Sequence, residues 1–125
     1  MKYAINARKA PEASGPYSQG TTAGRLVFTS GQLPIAHDAE ILIEGDITAQ
    51  TERVIDVIEL VLEEVGCTLD DIAQTTIYLT DLSNLEAVNN VFEERFPMPA
   101  PARSVVGVSA LPLGALIEMD CIACR

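Results

Sequence analysis

Two charged residues sit in or beside strand-like sequence, where a charge is costly unless it is paired, solvated or used. Arg103 stands at the mouth of an apolar run, in Pro101-Ala102-Arg103-Ser104. Glu118 lies inside a second run, Leu116-Ile117-Glu118-Met119-Asp120-Cys121-Ile122. An arginine fork grips a carboxylate through two parallel hydrogen bonds. A glutamate close by handles water or a proton. The pair predicts a hydrolytic site for a small organic acid. A structural alternative stands beside it, in which Arg103 pairs with Glu118 or Asp120 across strands as an interface salt bridge.

Other residues that often carry chemistry give less. Cys121 and Cys124 form a C-x-x-C string, with Cys67 apart from them. Residues three apart on a strand point to opposite faces, so the string is ill placed to chelate or to cycle as a dithiol. Buried apolar packing is the expectation for it. An odd number of cysteines with no secretory signal fits reduced thiols. His37 is the only histidine and reads as a solvated loop residue. One histidine without companions makes no zinc site, and no metal is expected.

The chain has 125 residues, 48% of them hydrophobic, which predicts one folded domain over 1–125. No apolar run approaches the ~20 residues that cross a bilayer, so no membrane partner is expected. Met1-Lys2-Tyr3-Ala4-Ile5-Asn6 lacks the apolar core of a signal peptide, and a cytoplasmic location follows. The net charge of −10 opposes nucleic acid and anionic membranes as partners, since both need clustered Lys and Arg. A small anionic substrate still fits, because one arginine can set a local field against the global one.

The elements that position Arg103 and Glu118 follow from pattern. Residues 8–24, rich in Gly, Pro, Ser and Thr, read as loop with short extended pieces. Leu26 to Ser30 reads as a strand stopping at Gly31, and Ile41-Leu42-Ile43 as a short strand or turn. Asp46 is a plausible cap for a helix whose apolar face is Ile47, Val54, Ile58, Val61, Leu62 and Val65, closed by Gly66. Glu52, Asp56, Glu59 and Glu63 form an acidic stripe that reads as a solvated face. Gln74 to Thr80 is β-branched and aromatic, hence a strand. Ser83-Asn84-Leu85-Glu86 has the form of a capping box, opening a second helix that presents Leu85, Val88, Phe92 and Phe96. The prolines from Pro97 to Pro101 end it. Strands over Ser104–Ser109 and Leu116–Cys124 complete an α+β fold with both helices on one face of a sheet.

Alternation assigns faces. In the last strand Ile117, Met119, Cys121 and Ala123 should meet the helices, leaving Leu116, Glu118, Asp120 and Ile122 on the other side. With Val106 and Val108 read as inward, Arg103, Val105 and Gly107 join Glu118 on the helix-free face. That face is too apolar to stand in water, and two helices cannot cover both sides. Association with copies of the same chain is the expected solution.

Five motifs in order resemble the YjgF/RidA family, the reactive intermediate deaminases. They are Gly15-Pro16-Tyr17-Ser18-Gln19-Gly20, Phe28-Thr29-Ser30-Gly31-Gln32-Leu33-Pro34, Asp81-Leu82 ahead of Val88-Asn89, Pro101-Ala102-Arg103-Ser104, and Ile117-Glu118. The similarity runs from about Ala10 to the C-terminus. It implies a chorismate-mutase-like α+β subunit with a mixed sheet, assembled as a homotrimer with sites at the subunit interfaces. It also implies cofactor-free hydrolysis of 2-enamine or 2-imine acids, such as 2-aminoacrylate, to 2-keto acids and ammonia. By the same resemblance Arg103 binds the substrate carboxylate and Glu118 positions or activates water. Tyr17, Ser30, Gly31 and Asn89 match residues lining the site. Val105 stands where many deaminases of the family have cysteine, a departure that puts affinity or substrate choice in question.

Two rivals are kept open. A non-catalytic module that binds keto acids or amino-acid-like ligands is compatible with Val105. An RNA-acting protein is opposed by the charge of −10.

Overall fold

Short alternating stretches pair into one six-stranded mixed sheet, and the computed structural model describes residues 1–37 and 40–125 of the chain. The strands are β1 (Tyr3–Ile5), β2 (Gly20–Ala23), β3 (Leu26–Thr29), β4 (Ile72–Leu79), β5 (Ala102–Gly107) and β6 (Ile117–Cys124). The helices are α1 (Ile47–Glu63) and α2 (Leu85–Arg95). Sheet order is β1-β2-β3-β6-β4-β5. Among the described residues only β4 and β5 pair in parallel, with α2 as their crossover; the other neighbours are antiparallel. β1 is an edge strand of three residues, too short to announce itself in the sequence.

α1 forms where its sequence signals agree. The Ala49 N–H donates to Asp46 Oδ1 at 3.0 Å, capping the first turn. Gly66 takes φ 77 just beyond the last turn, a conformation a side chain would resist. Val54, Ile58, Val61 and Leu62 are fully buried against Ile77, Leu79, Ile117 and Met119 of the sheet and Val88 and Phe92 of α2. Cys67 and Cys121 lie in this core, but Cys124 is exposed, so the expectation of buried packing fails for Cys124. The end of β6 turns that sulfur to the face the helices leave uncovered.

The acidic stripe of α1 is not simply solvated. Arg95, in the last turn of α2, donates to Glu52 at 2.9 Å and Asp56 at 2.8 Å, with Glu59 at 3.8 Å. The start of α2 also differs from the expected capping box. Asp81 Oδ1 accepts from the Ser83 N–H at 2.9 Å and hydroxyl at 2.7 Å, opening a 3-10 turn (Leu82–Asn84) that runs into α2. Ser83 is inside that turn and cannot cap the helix behind it. Ile41–Ile43 contributes only a single bridge, from Leu42 to Ile35.

β5 overturns one face assignment. Its register sets Arg103 opposite Thr75, Val105 opposite Ile77 and Gly107 opposite Leu79. Thr75, Ile77 and Leu79 are fully buried on the helix side. Arg103 and Val105 therefore share the helix-side face, with Val105 half-buried against the core. Val106 points the other way and is 41% exposed. Val108 lies past the strand end, its N–H donating to the Leu79 carbonyl at 2.9 Å. Valines at 105, 106 and 108 fit either phase of a strand, and the pairing with β4 decides between them.

Candidate functional site

Glu118 is built into the site by a fault in the sheet. β3 pairs with β6 at Phe28–Ile122, and the next bridge joins Gln32 to Met119. Between them Thr29, Ser30 and Gly31 run against Cys121 and Asp120, one residue too many for a regular ladder. The Cys121 N–H is satisfied instead by Thr29 Oγ1 at 3.0 Å. The bulge brings Gly31 against the Glu118 side chain: a Cβ at Gly31 would lie 3.0 Å from Glu118 Cδ and closer still to Oε2. Glycine is needed here for space, so that backbone and carboxylate can touch.

Glu118 is half-buried on the uncovered face, opposite Tyr78 of β4. Burial raises the pKa of its carboxyl above the ordinary 4.5, and the nearby charge of Asp120 raises it further. Asp120 also accepts from the Tyr78 hydroxyl at 3.2 Å. Burial and that neighbouring charge hold the phenol above its usual value. Glu118 opens onto a cleft of about 720 Å³, whose walls include Tyr17, Gly31, Gln32, Leu33 and Leu113.

The cleft wall before Tyr17 is held by Gln19, a residue the sequence reading did not single out. Gln19 is buried, and its amide takes the Ala7 N–H at 2.6 Å and donates to Ala7 O at 3.1 Å and Pro11 O at 2.8 Å. Its backbone carbonyl accepts from the Ser30 N–H at 2.9 Å and from Gln32 Nε2 at 3.2 Å. One residue thus ties the 7–11 segment to the bulge. A glutamine inside a Gly-Pro-Ser-rich loop was the available signal. The Ser30 hydroxyl is spent on the Ser18 carbonyl at 2.5 Å, and Ser30 lines a separate small hollow beside Phe28. Tyr17 is 51% exposed, and its hydroxyl accepts from the Ser14 N–H at 3.2 Å.

Arg103 lies elsewhere. Its Nη2 donates to Asn89 Oδ1 at 2.7 Å, and its guanidinium carbon sits 5.1 Å from the centre of the Phe92 ring. Phe92 in turn stacks on Phe96, with centroids 4.5 Å apart. Asn89 and Phe92 are three apart on α2, so they share the side that meets β5. Phe92 was legible only as a core position; its role under Arg103 depends on the strand register. Arg103 is exposed and has no acidic partner among the described residues, whose ion pairs all involve Arg95. Within one chain the structure therefore forms two groups. Tyr17, Gly31 and Glu118 share the cleft, while Arg103, Asn89 and Val105 lie on the opposite side of the sheet. The expectation that Arg103 and Glu118 share a face is corrected by the β4–β5 register, and the intrachain salt bridge between them does not form. No group of three or more His, Cys, Asp or Glu among the described residues is placed to hold a metal ion.

Comparison with known proteins gives a consistent picture. The family model described as endoribonuclease L-PSP matches residues 7–125. A RutC family protein of Pyrococcus abyssi is 44% identical over 122 residues, covering 98% of this chain and 96% of its own. The chloroplastic Reactive Intermediate Deaminase A of Arabidopsis thaliana is 40% identical over 122 residues, covering 98% of this chain and 65% of its own. The solved structure of a Rid family protein of unknown function from Yersinia pestis superposes with a TM-score of 0.96 at 43% identity, covering 100% of both chains.

Proposed function

This chain belongs to the endoribonuclease L-PSP family, which includes the YjgF/RidA proteins, and from that membership we propose that it hydrolyses 2-enamine and 2-imine acids, such as 2-aminoacrylate, to 2-keto acids and ammonia. The observation that carries the reading is the Glu118 carboxylate, seated against bare backbone at Gly31 in an open cleft. It is the arrangement expected of a group that positions water beside a small substrate.

Arg103 is the proposed carboxylate grip. Asn89 and Phe92 fix its guanidinium while using one Nη, which leaves other N–H groups for a substrate carboxylate. Because Arg103 and Glu118 face opposite ways in one chain, the proposed site joins Arg103 of one copy to Glu118 of another. A homotrimer with three interfacial sites satisfies this requirement. It also covers Phe28 and Ile122, which are only half-buried in the single chain.

The chemistry needs no cofactor. The enamine gains a proton at its β-carbon and becomes the iminium form of the imine. Water adds to the C=N carbon while Glu118 takes its proton. Glu118 returns that proton to the nitrogen of the neutral carbinolamine, and as the C–N bond breaks the hydroxyl gives up its own proton to water, leaving the 2-keto acid and ammonia. The charge of −10 argues against RNA as the substrate.

The test couples the protein to a serine or threonine dehydratase and follows imine decay. Faster decay with the protein, and loss of about 10²-fold of that acceleration in Arg103→Ala, is the expected result. Binding of 2-keto acids without faster ammonia release would instead favour the non-catalytic module. Full turnover by Arg103→Ala would sink the assigned grip.

A further inference from the structure

We propose that Leu113 sets substrate choice, as an apolar wall for the side chain of the imino acid. On this view the cleft accepts three-carbon intermediates but favours 2-imino acids with longer aliphatic side chains. The inference rests on the imine-hydrolase reading and deepens it.

Leu113 is the only non-glycine at positive φ among the described residues, at 61°. In that region a Cβ crowds the backbone, and glycine is the residue at ease. The strain is held from both sides. The Gly114 N–H donates to the Leu111 carbonyl and the Ala115 N–H to the Pro112 carbonyl, each at 3.2 Å. Gln50, buried in α1, accepts the Leu116 N–H at 2.9 Å. Backbone strain that the surroundings enforce beside a cleft is an outlier that points to use of the side chain.

The strained turn does not hide its leucine. Leu113 is 57% exposed and takes no part in the core cluster, yet it lines the same cleft as Glu118 and Gly31. Leu33, Ile35 and Pro112 supply further apolar surface there. A fixed leucine, set where it costs the backbone and gains nothing from the core, therefore fits contact with a substrate's aliphatic chain.

The test compares 2-iminopropanoate with 2-imino-4-methylpentanoate, each generated in place by an L-amino-acid oxidase, with imine decay read by semicarbazide trapping. The native protein should favour the longer imine by about tenfold in kcat/KM. Leu113→Gly should narrow that ratio to about twofold while its unfolding midpoint stays level or rises, because glycine relieves the turn. Leu113→Met should retain the preference. Calorimetric titration with 4-methyl-2-oxopentanoate and pyruvate reads the same wall without turnover. The native protein should bind the former more tightly, and Leu113→Gly should not. Equal ratios in the native protein and Leu113→Gly, for binding and turnover alike, would overturn the inference. A binding preference without imine turnover would overturn the hydrolase reading while supporting the wall.

Discussion

Gly31 and Glu118 compete for the same space, and a side chain at Gly31 would meet the mobile end of the glutamate rather than rigid backbone. Gly31→Ala should therefore leave the melting temperature within about 2 °C of the parent. The displaced carboxylate should nonetheless cost at least ~10²-fold in ammonia release. Calorimetry and the coupled assay together check this, and a large stability loss would mean that the bulge cannot adjust. The acid limb of activity belongs to the same residue. Burial first, and then Asp120, hold the Glu118 carboxyl above 4.5. A base must be ionised to work, so kcat/KM should fall as pH drops through that raised pKa, with the limb lying above 4.5. Asp120→Asn removes a raising charge and should move the limb to lower pH. Coincident profiles would assign the limb to another group.

Between elements, Arg95 adds a charged tie to the apolar contact that already joins α2 to α1. Removing its charge by Arg95→Met leaves Glu52, Asp56 and Glu59 to repel one another along one stripe. The expected cost is about 1–2 kcal/mol, seen as a drop in melting temperature of about 5 °C. Thermal melts in low and high salt check it, since screening should narrow the difference. Elements were legible where independent signals agreed. The α1 boundaries follow from a capping aspartate, a clean apolar period and a closing glycine. The last strand was placed on its correct faces because its alternation admits one phase. β5 was misread because its valines admit two, and only β4 chooses between them. The Arg103 platform of Asn89 and Phe92 was hidden for the same reason: it joins a helix face to a strand phase that no local pattern fixes. Gln19 stood in a family motif without a role of its own, because a buried amide with many backbone partners has no periodicity to betray it.

For the whole molecule, the decisive feature is that Arg103 and Glu118 lie on opposite sides of one sheet. A site that uses both needs a second copy. Arg103→Ala and Glu118→Ala proteins should each be inactive. Co-assembled from an equal mixture, they should regain activity at about a quarter of the sites, where an intact Arg103 meets an intact Glu118. Absence of any recovery would refute a shared site. The uncovered face that would close in such an assembly carries Leu26 at 45% exposed and Val106 at 41%.

Cys124 stands at the end of β6 on this same face, as the exposed one of three thiols; Cys121 is buried and its thiol pushed up to about 12. An alkylating reagent therefore meets a single ready sulfur, and the time it takes to cap that sulfur becomes a clock. Slow capping in concentrated solution and quick capping on dilution would date the closing and opening of the sheet's bare side, with no label to engineer.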